Sequence, residues 1–489
     1  MAGEVTVSAQ MYLSNIDEML DKVFEDEPTV TDAYFGDSIQ HIQKRTGVVR
    51  GTTVRFLTQH LSDAGITADL EADARTGQSM EVEELEITRS HLRRLDHTIT
   101  KGVMADALVD GSDLAIWNGA AQMGIQAVRA LDVKENQAFN SDKDSKKAAV
   151  VATYNTLGGT YNASATSAVV TIDGGGIAMF SRGEVLAIRN STTNAVRLKV
   201  QVRDVFQDKY VYGTNLSYPS LRLTITSDNA ALEAAGTVED IIFDNLADGD
   251  EITHYGDYED SGWDASWGAM CDVLTTSPPT YFGVTRTGMG KDYLLPYARD
   301  YASAGVDQPL DLDAIFDDYT AYVANLIGPS RMQLDESMPV YDRALIWQVN
   351  PKLIPSMQRQ ASDSGRRWNI INPSTLDAAK RKQMIAVTGW NGLVIQSFGL
   401  PPIAVQSEPQ MSENQMRIWD PAMYDMLQLG GTSRQPTWLR NDAGGRWHVQ
   451  RNATTGALKF FLDAVCWRVS APFCRLPKVQ AHFTGLAAG

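Results

Sequence analysis

The residues best placed to do chemistry in this sequence are a serine and a lysine, each in a glycine-containing turn. Ser38, in Gly36-Asp-Ser-Ile39, could act as the nucleophile of an ester hydrolase. Such a serine needs a histidine base with an aspartate three residues before it, and neither His448 nor His482 has one. Lys291, in Gly283-Val-Thr-Arg-Thr-Gly-Met-Gly-Lys-Asp292, stands where a phosphate-binding loop holds its lysine. The spacing fails: Thr285, not glycine, lies five residues before Gly290. Asp292 replaces the serine or threonine that would hold magnesium, and its carboxylate would repel a phosphate. A glycine-rich turn is the better reading. The seven histidines are scattered, His91 and His97 lie six apart, and no metal-ligand spacing occurs. The acidic clusters Glu25-Asp-Glu27, Glu83-Glu84 and Asp317-Asp318 read as solvated polar faces. The expectation is a non-enzyme with no metal and no cofactor.

Composition narrows the class further. With 489 residues the chain can bury a core in roughly three domains, and 43% hydrophobic with 21% charged residues excludes wholesale disorder. The formal charge of −17 argues against a protein that grips nucleic acid through a basic surface. It also sets up self-repulsion wherever copies are packed together, screened beyond roughly 8 Å at physiological salt. Cys271, Cys466 and Cys474 are odd in number and widely spaced, which suits buried thiols in a reducing compartment. No apolar run reaches membrane-spanning length, so a soluble, cytoplasmic product with no membrane partner is expected at synthesis.

The elements that would position any function follow from periodicity. Met11, Leu13, Ile16, Met19, Leu20 and Val23 mark one apolar stripe of a helix over Ala9 to Phe24, too short to be stable alone. Val48 to Leu57 reads as a strand and Val82 to Arg89 as its return, with polar Leu61 to Arg75 between them. Asp113 can cap a long helix running to about Phe139, with Leu114, Trp117, Ala121, Val128 and Leu131 on one face. The polar run Ser141 to Lys147 marks a boundary. Beyond it, short strands at 149–153, 167–172, 184–188, 197–202, 209–212 and 221–226, separated by glycine and Ser/Thr/Asn turns, predict a small inserted barrel or sandwich. Asp311 to Leu326 carries a complete helical apolar face ended by Gly328-Pro329. Ala344 to Val349 reads as a buried strand, Asn350-Pro351 as the start of a helix, and Ala457 to Val469 as a sheet core.

Two phrases and the order of parts carry a resemblance. Ala344-Leu-Ile-Trp-Gln-Val-Asn-Pro-Lys-Leu-Ile-Pro355 and Gly389-Trp-Asn-Gly-Leu-Val-Ile-Gln-Ser-Phe-Gly-Leu-Pro-Pro402 are similar to steps of the axial domain in the major capsid proteins of tailed double-stranded DNA bacteriophages. The sequence as a whole resembles that family, whose shell fold was first known from phage Hong Kong 97. The resemblance implies an α+β fold of this Hong Kong 97 type. Its parts would be an N-terminal arm (1–39), an extended E-loop-like β hairpin (40–97) and the spine helix of a peripheral domain (98–144). After them come an inserted β domain (145–245), a peripheral-domain return (246–300), an axial domain (301–435) and a C-terminal peripheral-domain sheet (436–489).

The function so implied is self-assembly, through hexamers and pentamers, into an icosahedral virion shell. Implied partners are other copies, a portal protein, a scaffolding protein, a decoration protein, and packaged genomic DNA held without sequence specificity. No long helical segment precedes the arm helix, so the N-terminus is expected to stay uncut and scaffolding to be separate. An encapsulin-like nanocompartment would share the fold without needing the β insertion. A tail or adhesion protein would lack the helices near 113–139 and 311–326, and an uncharacterised cytoplasmic hydrolase would need the missing catalytic set.

Charge within the hairpin suggests how copies meet. Arg45, Arg50, Arg55, Arg89, Arg93 and Arg94 concentrate at its base, whereas Glu71, Asp73, Glu81, Glu83 and Glu84 occupy its distal half. The expectation is a strap whose basic base lies on an acidic neighbour, with Arg45, Arg50, Arg55, Glu81, Glu83, Arg89, Arg93 and Arg94 at the subunit interface. Each exposed pair contributes only ~0–1 kcal/mol, so the effect would come from many copies.

Overall fold

A computed structural model describes residues 53–60, 81–88, 93–101, 129–142, 146–151, 166–174, 177–211, 216–226, 238–254, 265–274, 278–287, 292–303, 306–327, 345–363, 369–371, 394–396, 403–428, 437–438, 447–451 and 458–487. Thr53–His60 and Glu81–Thr88 form an antiparallel two-stranded ribbon. Its register sets apolar positions against each other, Val54 opposite Ile87 and Phe56 opposite Leu85. Among the described residues no further strand pairs with this ribbon. The next strand, Arg93–Lys101, leaves it and pairs along the long strand Leu458–Cys474.

The predicted β insertion is a closed barrel of six strands. Around it run Lys146–Val150, Ala168–Asp173, Leu216–Ile225, Val196–Val211, Val185–Arg189 and Glu251–His254, each antiparallel to the next. Period-2 alternation fills its interior with Val170, Ile172, Leu186, Ile188, Leu198, Val200, Val202, Leu221 and Leu223, joined by Ile241 and Ile242 of helix Val238–Asp244. Two differences from the sequence reading have physical causes. The predicted strands at 197–202 and 209–212 are one strand, because bulges at Val202/Asp204 and Phe206/Lys209 absorb the charged interruption without breaking the pairing. The closing strand Glu251–His254 lies past residue 245; without it Lys146–Val150 and Val185–Arg189 would be open edges.

A seven-stranded mixed sheet forms the main body, in the order Tyr297–Asp300, Ala481–Thr484, Met416–Trp419, Leu345–Val349, Ile403–Ser407, Val394–Gln396, Asn369–Ile371. Helix Leu312–Ile327 covers one face, packing Leu312, Ile315, Tyr319 and Tyr322 onto Leu345, Trp347, Val349, Ile418 and Phe483. The other face packs Ile346 and Trp419 against Phe139, Trp267 and Tyr424. Burial on both faces is why Leu345–Val349 is apolar at every position but Gln348. The helix expected at Asn350-Pro351 runs over Ile354–Asp363, after a turn at 351–353. Ala481–Thr484 sits between Tyr297–Asp300 and Met416–Trp419, so residues beyond 480 complete this sheet as well as following the C-terminal one. Gly485 just after it has φ +72°, and an added Cβ would collide with the Ala302 backbone. Among the described residues no helix is long and apolar enough to cross a membrane.

Candidate assembly ribbon and buried polar junction

The structure divides the eight residues expected at a subunit interface. Arg55 stands directly opposite Glu86 in the ribbon, so this basic position already has an acidic one across from it in the same chain. Glu81 is opposite His60 and Glu83 opposite Thr58. Arg93 and Arg94 are placed apart from the ribbon, paired to Ser470 and Val469 in the C-terminal sheet. The alternation Leu95, His97, Ile99 between polar residues was the strand signal there, overshadowed by the charge. Arg45, Arg50 and Arg89 lie outside the described residues, as do Gly36 to Ile39 and Asp113.

The strongest polar arrangement lies elsewhere, around a helix described over residues 129–139. From Glu135 to Ser141 every residue is buried, although five of the seven are polar. Ser141 bonds back to the Ala138 carbonyl of its own helix at 2.7 Å, and the other four polar side chains each reach a different neighbour. Glu135 accepts from the Ser470 hydroxyl, tying the helix to Leu458–Cys474. The Asn136 amide donates to Gln410 Oε1 at 2.5 Å and to Glu408 Oε1 at 3.4 Å. Gln137 donates to the Ala178 carbonyl at 2.9 Å, in the barrel. Asn140 Oδ1 accepts from Arg417 at 2.5 Å.

On the sheet side the centre is Arg417, fully buried in Met416–Trp419. Its guanidinium lies 4.6 Å from the Trp267 ring centroid, 5.2 Å from that of Phe139 and 5.5 Å from that of Trp419. Nε donates to Gln348 Oε1 at 2.7 Å. Burial lowers its pKa to about 10, with Glu408 acting in the opposite direction. His482, beside it and edge-on to Trp267, is pushed down to about 3 by burial and by the Arg417 charge, so it is a neutral packing residue.

On the barrel side the centre is Glu184, whose side chain is wholly buried. Lys147 Nζ lies 2.5 Å and Lys134 Nζ 2.7 Å from Oε1, His254 Nε2 lies 3.9 Å away, and the Ser181 amide donates to Oε2 at 3.0 Å. Burial alone would raise its pKa, but Lys147, Lys134 and His254 together hold it at about 2. Lys147 also donates to the Met179 carbonyl at 3.0 Å. Lys147 was read from sequence as part of a polar boundary; it is a buried strand residue.

In the phosphate-loop-like segment, the described residues 283–287 have a packing role, while Lys291 lies outside the described residues. Phe282 and Gly283 have φ 46° and 82°, making a tight turn, and the following Arg286 donates to the carbonyls of Met270 at 2.6 Å and Ala269 at 3.1 Å. Arg286 thus satisfies the end of helix Trp267–Cys271. Asp318, expected to be merely solvated, accepts from Tyr297 at 2.8 Å and from Tyr301, fastening helix Leu312–Ile327 to the edge strand. Burial and then Asp318 push the Tyr297 hydroxyl up to about 12. Cys271 and Cys474 are buried free thiols, and burial raises both.

No family model matches the chain, and no curated protein matches it. Solved structures do. The capsid asymmetric unit of cyanophage A-1(L) aligns over 94% of this chain and 95% of its own at 8% identity, with a TM-score of 0.46. The capsid of an empty GTA particle aligns over 95% and 96% at 11% identity and a TM-score of 0.36. The procapsid of satellite phage P4 with its size determination (Sid) protein aligns over 100% and 99% at 10% identity and a TM-score of 0.36.

Proposed function

We propose that this chain is the major capsid protein of a tailed double-stranded DNA bacteriophage, assembling through hexamers and pentamers into an icosahedral shell of the Hong Kong 97 type. The observation that carries this reading is the ribbon Thr53–His60/Glu81–Thr88 followed by a strand that enters the C-terminal sheet. An isolated two-stranded ribbon is marginal in water. Its stability is supplied if it lies on an adjacent copy, and interwoven extensions give each subunit many contacts without one dominant interface.

In this reading residues 1–39 are the arm and the ribbon is the E-loop. The helix ending at 139 is the spine, the C-terminal sheet belongs to the peripheral domain, and the seven-stranded sheet is axial. The virion is the site of action. Portal, scaffolding and decoration proteins are the expected partners, with genomic DNA held on the inner face without sequence specificity. The test is direct: purified full-length chain, alone and with a scaffolding protein from the same genome, is imaged by electron microscopy and sized by sedimentation. Capsomer rings or closed shells are expected. Monomers under every condition, or a hydrolytic activity lost on Ser38→Ala or Lys291→Ala, would overturn the proposal.

A further inference from the structure

We propose that Lys134 and Gln137, gripping Glu184 and the 178–181 turn, form a latch that fixes the inserted barrel rigidly to the helix at 129–139. The barrel could have been a module on a flexible tether, since only residues 140–145 connect its first strand to that helix. Four contacts instead bridge the two. Lys134 Nζ reaches Glu184 Oε1 at 2.7 Å, Gln137 Nε2 donates to the Ala178 carbonyl at 2.9 Å and to Ser181 Oγ at 3.5 Å, and Lys147 Nζ donates back to Gln137 Oε1 at 3.4 Å. Lys134 and Gln137 are one helical turn apart and hydrogen-bond each other at 3.3 Å, so the helix presents them as one unit.

The division of labour within this cluster is specific. Lys147 and Glu184 both belong to the barrel, and their pair keeps the carboxylate neutralised whether or not the helix is present. Lys134 brings a charge to Glu184 from outside the barrel, whereas Lys147 and His254 belong to the barrel strands themselves. On the same helix Glu135, Asn136 and Asn140 hold Leu458–Cys474, Glu408 and Arg417. Positions 134 and 137 therefore hold the barrel while 135, 136 and 140 hold the body, and any rotation of the helix carries both. With its carboxyl held at about 2, Glu184 stays ionised at ordinary pH; its stabilising contribution is present above about 4.5 and lost as pH falls through 2.

The inference concerns the single chain, so its test does not depend on shell formation. Full-length Lys134→Met/Gln137→Leu subunits are compared with the parent by hydrogen exchange and limited proteolysis. The expected result is exchange faster by about tenfold or more in 129–139 and 146–150, with quicker cleavage between 139 and 146. Protection of the barrel core strands Ala168–Asp173 and Leu216–Ile225 should stay within about twofold of the parent. Unchanged exchange at the junction would overturn the latch. Equal loss of protection in the core strands would overturn it too, by showing that these residues support the barrel's own fold. If the double variant does not fold, Gln137→Ala alone removes the Ala178 contact and is read by the same criteria.

Discussion

Replacing Arg417 with methionine tests whether the buried polar junction is held by its hydrogen bonds or merely tolerated by its packing. The substitution keeps an unbranched chain of similar reach among Phe139, Trp267 and Trp419, so little volume is lost. It removes the bonds to Gln348 Oε1 at 2.7 Å and Asn140 Oδ1 at 2.5 Å, leaving two buried acceptors without that donor. Each orphaned acceptor costs about 1–3 kcal/mol. The substitution also relieves a buried charge whose desolvation has lowered its pKa to about 10. Balancing these, Arg417→Met should destabilise the body by about 2–4 kcal/mol. In urea unfolding of the full-length subunit followed by tryptophan fluorescence, that lowers the midpoint by about 1 M. Adding Gln348→Met and Asn140→Leu removes the stranded acceptors and should restore most of the loss. A midpoint for Arg417→Met equal to or above the parent's would refute the reasoning, as would a triple variant no better than the single one.

A fragment spanning 145–255 should melt cooperatively, whereas 145–245, lacking the closing strand Glu251–His254, should give a broad melt; calorimetry of the two decides, and equal cooperativity would remove the closing strand's importance. Between pH 6.5 and 4.5 the unfolded chain takes up a proton at His482 that the folded chain, with its value near 3, refuses, so stability should fall by about 2–3 kcal/mol on acidification. His482→Leu should flatten that limb while leaving the loss below pH 4.5, to which Glu184 contributes, and an unchanged limb would exclude His482. Arg50→Glu with Arg55→Glu should leave the subunit folded yet unable to close a shell. Normal particles at low and physiological salt would show that the strap does not work through these charges.

Architecture was legible where one periodicity dominated. The barrel strands announced themselves by alternation, Leu312–Ile327 by its apolar face, and Leu345–Val349 by a run apolar at four of its five positions. Strand boundaries were less legible, because a bulge lets one strand pass through Arg203-Asp204 where alternation fails. The polar junction was least legible. Lys134-Glu-Asn-Gln137 looks like a solvated helical turn, and only burial on several sides makes each residue a separate contact. Two signals were nonetheless present: Gln348 inside Leu-Ile-Trp-Gln-Val and Arg417 inside Met-Arg-Ile-Trp, each a polar residue in an otherwise apolar strand.

The placement of Ala481–Thr484 has a consequence for the order of synthesis. Its partners, Tyr297–Asp300 and Met416–Trp419, leave the ribosome long before it does, and until it arrives both keep an open hydrogen-bonding edge at that position. Among the described residues Tyr297–Asp300 meets the rest of the sheet only through this late strand. A chain interrupted anywhere before residue 481 therefore carries a split body and an unmatched Phe483 socket. Translation itself thus sets when the body can close: an unfinished copy lacks the strand that joins Tyr297–Asp300 to Met416–Trp419.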